Sequence, residues 1–367
     1  MLAKRGVHVV CFVLASLLAG LESIVAQAPP KIADNVIVVT LDGMRWQEVF
    51  SGSSTALLNE NDGGVRNAAA IEQRFGGTSA EERRARLMPF VWSVIAKQGQ
   101  LFGDPSAGSE ARLTNGFSIS YPGYNELLTG SPDERITSNS RIFNPNVTVL
   151  EWLHRLPGFE GRVAAFGSWA LLPWILNEPR SGIPSIADGL LIRDVNSDAA
   201  RMVNELAAGL PPYWTESKFD APTAISAIEY LRRKRPRVLY VMFEETDEWA
   251  HGRRYDLYLD AAFRADGFIK RLWDTAQSLP DYRGRTALVI TTDHGRGSTG
   301  ADWPSHNAKV TGADKIWIAM LGPGVPPLGV RRDISVTQSQ VAATIAKLMG
   351  RDYNAARPNA AAPVPLE

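Results

Sequence analysis

Short runs of valine, isoleucine and leucine alternate along this chain with longer amphipathic stretches, and this alternation limits the possible folds more than any other feature. The apolar runs have the length of buried strands, and the stretches between them have the length of helices. Strands buried on both faces are typical of parallel sheets whose connections are helices. The sequence therefore predicts an α/β fold in three layers, with a mostly parallel central sheet and helices on both faces. The predicted strands are 35–41, 162–167, 237–243, 286–292 and 315–321, and the predicted helices are 89–98, 147–156, 197–209, 220–234, 255–279 and 336–348.

Acidic residues follow three of the predicted strands directly. Asp42 comes after strand 35–41, Glu244 opens the segment EETDEWAH after strand 237–243, and Asp293 comes directly after strand 286–292. The carboxyl ends of parallel strands meet at one edge of the sheet, which is where ligands bind in such folds. We therefore expect these side chains to converge, although they are up to about 250 residues apart in the sequence.

Histidines join the same set of acids. Asp247 and His251 are four residues apart, a spacing that lets both side chains reach one cation from a single helical turn. His294 follows Asp293, and His306 comes twelve residues later. Each of these features alone has an ordinary explanation, such as a turn at a strand end. Together they favour a metal site, and carboxylate with imidazole ligands suits zinc first and manganese or iron second.

Ser120 is the candidate nucleophile, because it stands just ahead of a predicted short helix. Pro122 favours the first helical turn, and Gly130 offers an end. One interpretation is an N-cap serine with a structural role. The other is a nucleophile whose hydroxyl faces the free N–H groups of the helix N-terminus, with a metal ion to lower its pKa.

These segments resemble one known family: the alkaline phosphatase superfamily, nearest its nucleotide pyrophosphatase/phosphodiesterase branch. The resemblance spans about residues 35–350 and is carried by VTLDGMR, MPFVWSVIAKQG, SYPGYNELLTG, EETDEWAH, TTDHG and SHNAK, in the order of the family. It implies an alkaline-phosphatase-like three-layer sandwich that hydrolyses phosphate esters, diesters in particular, through a phosphoserine on Ser120. It also implies that Asn139 donates a hydrogen bond to a phosphate oxygen. The two zinc ions that it implies would be held by Asp247, His251 and His306, and by Asp42, Ser120, Asp293 and His294.

Departures from other branches narrow the activity. Sulfatases carry an arginine four residues after the modified residue, whereas Ser120 is followed by Tyr121, Pro122, Gly123 and Tyr124. The loop after strand 162–167 reads SWALLPW, with no basic residue to clamp a doubly charged monoester, and it favours an apolar or aromatic substrate group. A sulfatase, phosphonate hydrolase, phosphomonoesterase or phosphoglycerate-mutase-like enzyme on the same core is the alternative. An inactive metal-binding recognition protein is the alternative from another class.

Residues near these motifs have two interpretations each. Arg45 would contact phosphate or form a structural ion pair. Trp249 and Trp303 would stack on a base or pack in the core. Glu244 and Glu245 are expected to support the metal ligands as hydrogen-bonding partners.

The first residues have the pattern of a secretory signal peptide. Lys4 and Arg5 precede an apolar run over 7–18, small residues follow, and we expect cleavage after Ala26. An uncleaved anchor is the alternative, but this run is too short to cross the ~30 Å of hydrocarbon in a bilayer. We therefore expect export, to the periplasm or the medium, of one metallohydrolase domain over 27–351.

Composition excludes several classes of function. Lysine plus arginine and aspartate plus glutamate are equal at 39 each, so bulk charge does not recruit nucleic acid, and a small phosphate ester is the expected partner. The single cysteine, Cys11, lies in the signal segment, which leaves the mature chain without disulfides or thiolate sites. Two stretches are irregular: 168–218 is either an insertion or lid over the site or an ordinary long connection, and 352–367 is expected to be disordered.

Overall fold

The computed structural model describes residues 32–187 and 197–367, all within one compact unit. The predicted signal peptide therefore lies outside the described residues. Among the helices that are described, none is long and apolar enough to cross a membrane. The strands are β1 (Asn35–Leu41), β2 (Gly99–Phe102), β3 (Glu110–Arg112), β4 (Val163–Gly167), β5 (Ser185–Ile186), β6 (Val238–Phe243), β7 (Thr286–Thr291), β8 (Ile318–Leu321), β9 (Gly329–Val330) and β10 (Ser335–Thr337).

Helices surround these strands and connect most of them. A π-helical turn over Val91–Ile95 leads into the fifth α-helix, and 3-10 turns lie at Thr55–Leu57 and Pro105–Ala107. The α-helices are α1 (Trp46–Ser51), α2 (Glu60–Gly63), α3 (Ala68–Phe75), α4 (Ala80–Leu87), α5 (Ala96–Gln98), α6 (Ser120–Thr129), α7 (Val149–His154), α8 (Leu172–Ile175), α9 (Glu178–Ser181), α10 (Asp198–Gly209), α11 (Asp220–Lys234), α12 (Glu245–His251), α13 (Tyr255–Ser278), α14 (Gln340–Leu348) and α15 (Tyr353–Ala356).

In the described part of the chain, eight strands form one sheet in the order β5-β4-β6-β1-β7-β8-β2-β9. The strands from β5 to β7 are parallel, whereas β8 is antiparallel to both of its neighbours. The two edge strands, β5 and β9, are only two residues long each. The predicted mostly parallel sheet is confirmed. Because β1 lies between β6 and β7, the three strands that precede the acidic segments are immediate neighbours.

The central strand shows why its sequence is apolar at successive positions. Val36 and Val38 belong to one buried cluster, together with side chains of α6, α7 and α14. Ile37, Val39 and Leu41 belong to the other, together with side chains of α11 and α13. Alternate residues of a strand point to opposite faces, so both faces of the sheet are covered by helices. Each such side chain contributes roughly 1.5 to 3 kcal/mol of hydrophobic stabilisation.

The predicted disordered tail is wrong. Residues 352–367 begin with α15 and continue as an ordered segment in which Tyr353, Val364 and Leu366 are buried. The backbone N–H of Val364 donates a hydrogen bond to Thr344 Oγ1 on α14 at 2.9 Å. Composition suggested disorder because proline and alanine dominate the segment. A few apolar side chains are nevertheless enough to order it when they fit a complementary groove, since proline already restricts the unfolded chain.

The stretch 168–218 is described except for 188–196. It contains α8, α9, β5 and α10, and Trp169 forms an isolated bridge with Ser217. Its function as a lid remains a prediction.

The ordered tail makes a prediction about stability. Because Val364 is fully buried, Val364→Ser should lower the free energy of unfolding by about 2 kcal/mol through lost apolar contacts and a buried hydroxyl. Chemical denaturation measures this change. The matched control is Ala362→Ser at an exposed position, which should stay within about 0.5 kcal/mol of the parent. Equal stability of both variants would mean that the tail does not pack.

Candidate metal centre

The three central strands deliver a buried acidic cluster to one edge of the sheet. Asp42 follows β1, Asp247 lies on α12 after β6, and Asp293 with His294 follows β7. Asp42, Asp293 and His294 are completely buried. The structure therefore brings these segments together at one edge of the sheet, as the sequence predicts.

One group of side chains surrounds the ring of His294. Its Nε2 lies 3.4 Å from Asp42 Oδ1, 3.4 Å from Asp293 Oδ2 and 3.3 Å from Ser120 Oγ. His294 Nδ1 lies 2.9 Å from the carbonyl oxygen of Gly295. A ring that donates from Nδ1 keeps its lone pair on Nε2, and that atom faces the two carboxylates and the hydroxyl.

A second group lies beside the first. His251 Nε2 is 3.1 Å from Asp247 Oδ2 and 3.1 Å from His306 Nε2. His306 Nε2 is 3.8 Å from Asp247 Oδ1, and its Nδ1 lies 2.9 Å from the carbonyl oxygen of Ser118. Both imidazole Nε2 atoms therefore point to the same place as the Asp247 carboxylate.

The two groups form one centre. The rings of His294 and His306 are stacked with centroids 3.8 Å apart and an interplanar angle of 8°. His294 Nε2 also lies 3.7 Å from Asp247 Oδ1. All seven residues that the resemblance suggested as metal ligands are thus gathered here, whereas His154 stands on α7, away from them.

The side chains of this centre have the chemistry that divalent cations require. Asp42 Oδ1 and Asp293 Oδ2 are buried and have no hydrogen-bond partner. Burial raises the pKa of Asp42 to about 8, with Asp293 adding to the shift, and raises the pKa of Asp293 to about 7. Burial also lowers the pKa values of the three histidines, so their rings are neutral and able to bind metal at neutral pH. Buried carboxylate oxygens that lack partners, beside neutral imidazole rings, are what zinc or manganese requires.

Ser120 is not the N-cap residue, so this structural interpretation is wrong. Helix α6 begins at Ser120 itself, and Ile119 occupies the cap position with extended backbone and no capping side chain. The Ser120 hydroxyl instead faces His294 Nε2, and only 4% of the residue is exposed. Ser118, with φ of 51°, turns the chain just before the helix.

Asn139 lies beside the start of the same helix. Its Oδ1 accepts a hydrogen bond from the backbone N–H of Tyr121 at 2.9 Å. Asn139 and Ser120 line the same cleft, so the Nδ2 group of Asn139 is a donor within the surroundings of the hydroxyl.

Two glycines permit the close packing of this centre. A Cβ atom at Gly123 would overlap the carbonyl oxygen of Asp293, so only glycine lets α6 approach the end of β7 this closely. Gly43 has φ of 57°, and a Cβ atom there would lie 2.7 Å from Arg296 Nε.

Arg296 is a site residue that the sequence did not reveal. Its guanidinium is buried and forms an ion pair with Asp247. It also donates hydrogen bonds to the carbonyl oxygens of Gly43, Asp247 and Pro304. One side chain therefore fastens the three segments that carry Asp42, Asp247 and His306. The only signal in the sequence was a basic residue two positions after the DH pair.

The other ambiguous residues have clear positions. Arg45 is buried and pairs with Glu48, which supports the structural ion pair. Trp303 is completely buried and donates from Nε1 to the carbonyl oxygen of Asp62, so it belongs to the core. Trp249 is 8% exposed, and its ring centroid lies 4.8 Å from that of Trp214.

A cleft of about 430 Å³ opens above the centre. Of the described residues that line it, none is a lysine or an arginine. The lining residues are Ser120, Asn139, Trp169, Tyr213, Trp214, Thr215, Glu216, Ser217, Glu244, Asp247, Glu248, His251 and His306.

Comparisons with known proteins agree with this geometry. The family model of type I phosphodiesterase / nucleotide pyrophosphatase matches residues 77–351. A comparison with curated proteins found no match. Among solved structures, the lipoteichoic acid synthase LtaP from Listeria monocytogenes is 12% identical, with a TM-score of 0.57 and coverage of 87% of this chain and 72% of its own. Wild-type alkaline phosphatase PafA is 10% identical, with a TM-score of 0.54 over 88% and 97%. Ps i-CgsB, in complex with k-i-k-neocarrahexaose, is 16% identical, with a TM-score of 0.53 over 91% and 75%. At these identities the likeness to the three structures shows a shared fold.

The raised pKa values predict how the metal-free protein responds to pH. Folding raises the pKa values of Asp42 and Asp293 above the ordinary 3.8, so their contribution to stability is complete below that pH and is lost as the pH rises through about 7 and about 8. Without metal, Tm should fall by about 2 °C between pH 7 and pH 9, a range in which the histidines are already neutral. Calorimetry with a chelator, and then with Zn²⁺, measures this effect.

The control for this prediction is the double variant Asp42→Asn with Asp293→Asn. Its metal-free Tm should fall less over the same range, and Zn²⁺ should raise it less. Identical pH profiles for the variant and the parent would contradict the assignment of the effect to these two carboxyl groups.

Proposed function

Since this chain belongs to the type I phosphodiesterase / nucleotide pyrophosphatase family, within the alkaline phosphatase superfamily, we propose that it hydrolyses phosphate esters, and diesters in particular, at a two-metal site. The observation that carries the proposal is the position of the Ser120 hydroxyl. It lies 3.3 Å from His294 Nε2, the atom that also faces Asp42 and Asp293. A nucleophile and a set of metal ligands that share one point are the arrangement needed for metal-assisted attack on phosphorus.

The ligand atoms divide between two cations by proximity. His251 and His306 would hold one ion with Asp247, and the remaining four residues, Asp42, Ser120, Asp293 and His294, would hold the other. When bound, the ions supply Lewis-acid chemistry, which lowers the pKa of the serine hydroxyl and neutralises charge on the phosphoryl and leaving oxygens. Zinc is the proposed metal, and manganese suits the same donors.

The chain's own residues account for the remaining steps. Ser120 Oγ attacks the phosphorus atom and the bond from phosphorus to the leaving ester oxygen breaks, which gives a phosphoserine and an alcohol. The Nδ2 group of Asn139 and the N–H groups at the start of α6 hold a non-bridging oxygen. Water then cleaves the bond between phosphorus and Ser120 Oγ and releases a phosphomonoester. The burial of Ser120 limits water around the nucleophile until the leaving alcohol departs.

The charge of the cleft supports a preference for diesters. A phosphodiester carries one negative charge, whereas a phosphomonoester carries about two at neutral pH. The cleft is lined by Glu216, Glu244 and Glu248 but by no lysine or arginine among the described residues, so the second charge of a monoester meets no permanently charged cation. Trp169, Tyr213 and Trp214 line the same cleft and offer aromatic surface to an aryl or base group of the substrate.

One preparation tests this activity with three substrates that share a leaving group. Bis(4-nitrophenyl) phosphate should be hydrolysed with a kcat/KM at least about tenfold above that of 4-nitrophenyl phosphate and of 4-nitrophenyl sulfate. Ser120→Ala should lose at least about 10³-fold in kcat while it retains about two equivalents of zinc. The matched control is Ser138→Ala on the exposed loop, whose activity should be unchanged.

Each result of this test bears on a different part of the proposal. A faster monoester would contradict the diester preference, and a faster sulfate ester would favour the sulfatase alternative. Undiminished hydrolysis by Ser120→Ala would exclude Ser120 as nucleophile. Purified protein without bound metal that still hydrolyses the diester would contradict the two-metal site.

We further propose that the protein is exported to the periplasm or secreted. Lys4, Arg5 and the apolar run over 7–18 support this location. Mass spectrometry of the protein recovered outside the cytoplasm should show a mature N-terminus at Gln27. Recovery of the intact chain from the cytoplasm alone would contradict export.

A further inference from the structure

Glu244 is a buried carboxylate that the proposed mechanism does not use. It follows β6 directly, is 3% exposed, and its Oε2 has no hydrogen-bond partner. No lysine or arginine in the described part of the chain forms an ion pair with it. An ionised carboxylate is costly to bury without a compensating cation or hydrogen-bond donor, so this side chain lacks the partner that its charge requires.

Two further carboxylates lie close to Glu244 and increase the need for a positive charge at this place. One carboxylate oxygen each from Asp42, Glu244 and Asp247 lie within 4.8 Å of one another. Asp42 Oδ1 is itself without a hydrogen-bond partner. Because Asp42 and Asp247 belong to the two different ligand groups, Glu244 adjoins both of them.

The adjacent residue Glu245 shows the contrast. Its carboxylate pairs with Arg264 and accepts hydrogen bonds from Trp249 Nε1 and from the backbone N–H of Asp220. Glu245 is therefore satisfied by protein groups and holds α12 in place. Glu244 faces the cleft that Ser120, His251 and His306 also line.

We propose that Glu244 is a further carboxylate ligand of the metal centre, placed between the ligand groups of Asp42 and Asp247. This inference rests on the proposed two-metal function and adds an eighth residue to the seven that the resemblance suggested. A divalent cation within reach of Glu244 supplies the opposite charge that the described residues do not provide. The sequence-based view of Glu244 as a hydrogen-bonding partner of the ligands is thereby replaced by direct coordination.

The test compares Glu244→Gln with Glu248→Gln. Glutamine keeps the shape of glutamate but is a much weaker metal ligand, and Glu248 is another cleft carboxylate that lies outside the cluster of three. Zn²⁺ affinity of the full chain is measured by competition with a chromophoric chelator. Glu244→Gln should weaken the binding of at least one ion by tenfold or more, on the order of the loss found when even supporting residues of metal sites are removed. Glu248→Gln should stay within about threefold of the parent, since it removes no ligand.

Thermal unfolding provides the readout that a purely structural role would not produce. Metal-free Glu244→Gln should melt at or above the parent temperature, because a buried carboxyl group that lies against two others is replaced by a neutral amide. Zn²⁺ should then raise its Tm less than that of the parent. If the metal-free variant melts lower and its zinc affinity is unchanged, Glu244 is structural and the inference is overturned.

A structure of the zinc-loaded parent decides the matter independently of any variant. A Glu244 oxygen at about 2.0 to 2.2 Å from an ion supports the inference, and a distance beyond about 3 Å overturns it. If the parent binds two zinc ions without Glu244, this inference alone fails. If the parent binds no zinc, the proposed function fails with it.

Discussion

The parallel arrangement of β1 between β6 and β7 is the constraint on which the centre depends. These strands are paired residue by residue, with Leu41 opposite Phe243 and Thr40 opposite Thr291. The segments that follow them must therefore leave the sheet at the same height. Both faces of this part of the sheet are buried, so the strands are held by side-chain packing as well as by backbone hydrogen bonds. The ligand-bearing residues extend directly from the most rigid elements of the fold, which is what a preorganised site requires.

The convergence of these segments brings several carboxylates together, and this is electrostatically unfavourable. Asp42, Asp293, Asp247 and Glu244 meet in a buried space in which Arg296 is the basic residue paired with the cluster. Arg296 offsets part of the repulsion, and its hydrogen bonds to three carbonyl oxygens keep the ligand segments together before any cation binds. Desolvation by burial raises the pKa values of both Asp42 and Asp293, and repulsion by Asp293 raises that of Asp42 further. Because the protein groups offset this repulsion only in part, the centre is suited to bind divalent cations.

Much of this architecture was predictable from local patterns. The strand over 35–41 was placed correctly at both ends, because a fully buried strand is marked by successive apolar residues. Helices α1 to α4 and the short β2 were missed, since they are brief and their burial is decided by distant elements. The acids and histidines were found because they follow strands that the fold aligns. Arg296 and Gly123 were not, since Arg296 contacts Asp247 and Gly123 contacts Asp293, and neither partner is near in sequence. At the tail, the proline and alanine content led to a wrong prediction of disorder. The tail is ordered because the rest of the chain provides a groove in which it packs.

The shortness of β5 and β9 has a consequence for how copies of the protein meet. A long, flat outer strand presents a row of unpaired N–H and carbonyl groups that can template strand addition by another molecule. Among the described residues, each margin of the large sheet ends in a strand of only two residues, which offers almost no such row. The interior can thus carry long, strongly apolar strands without inviting open-ended polymerisation of the native molecule.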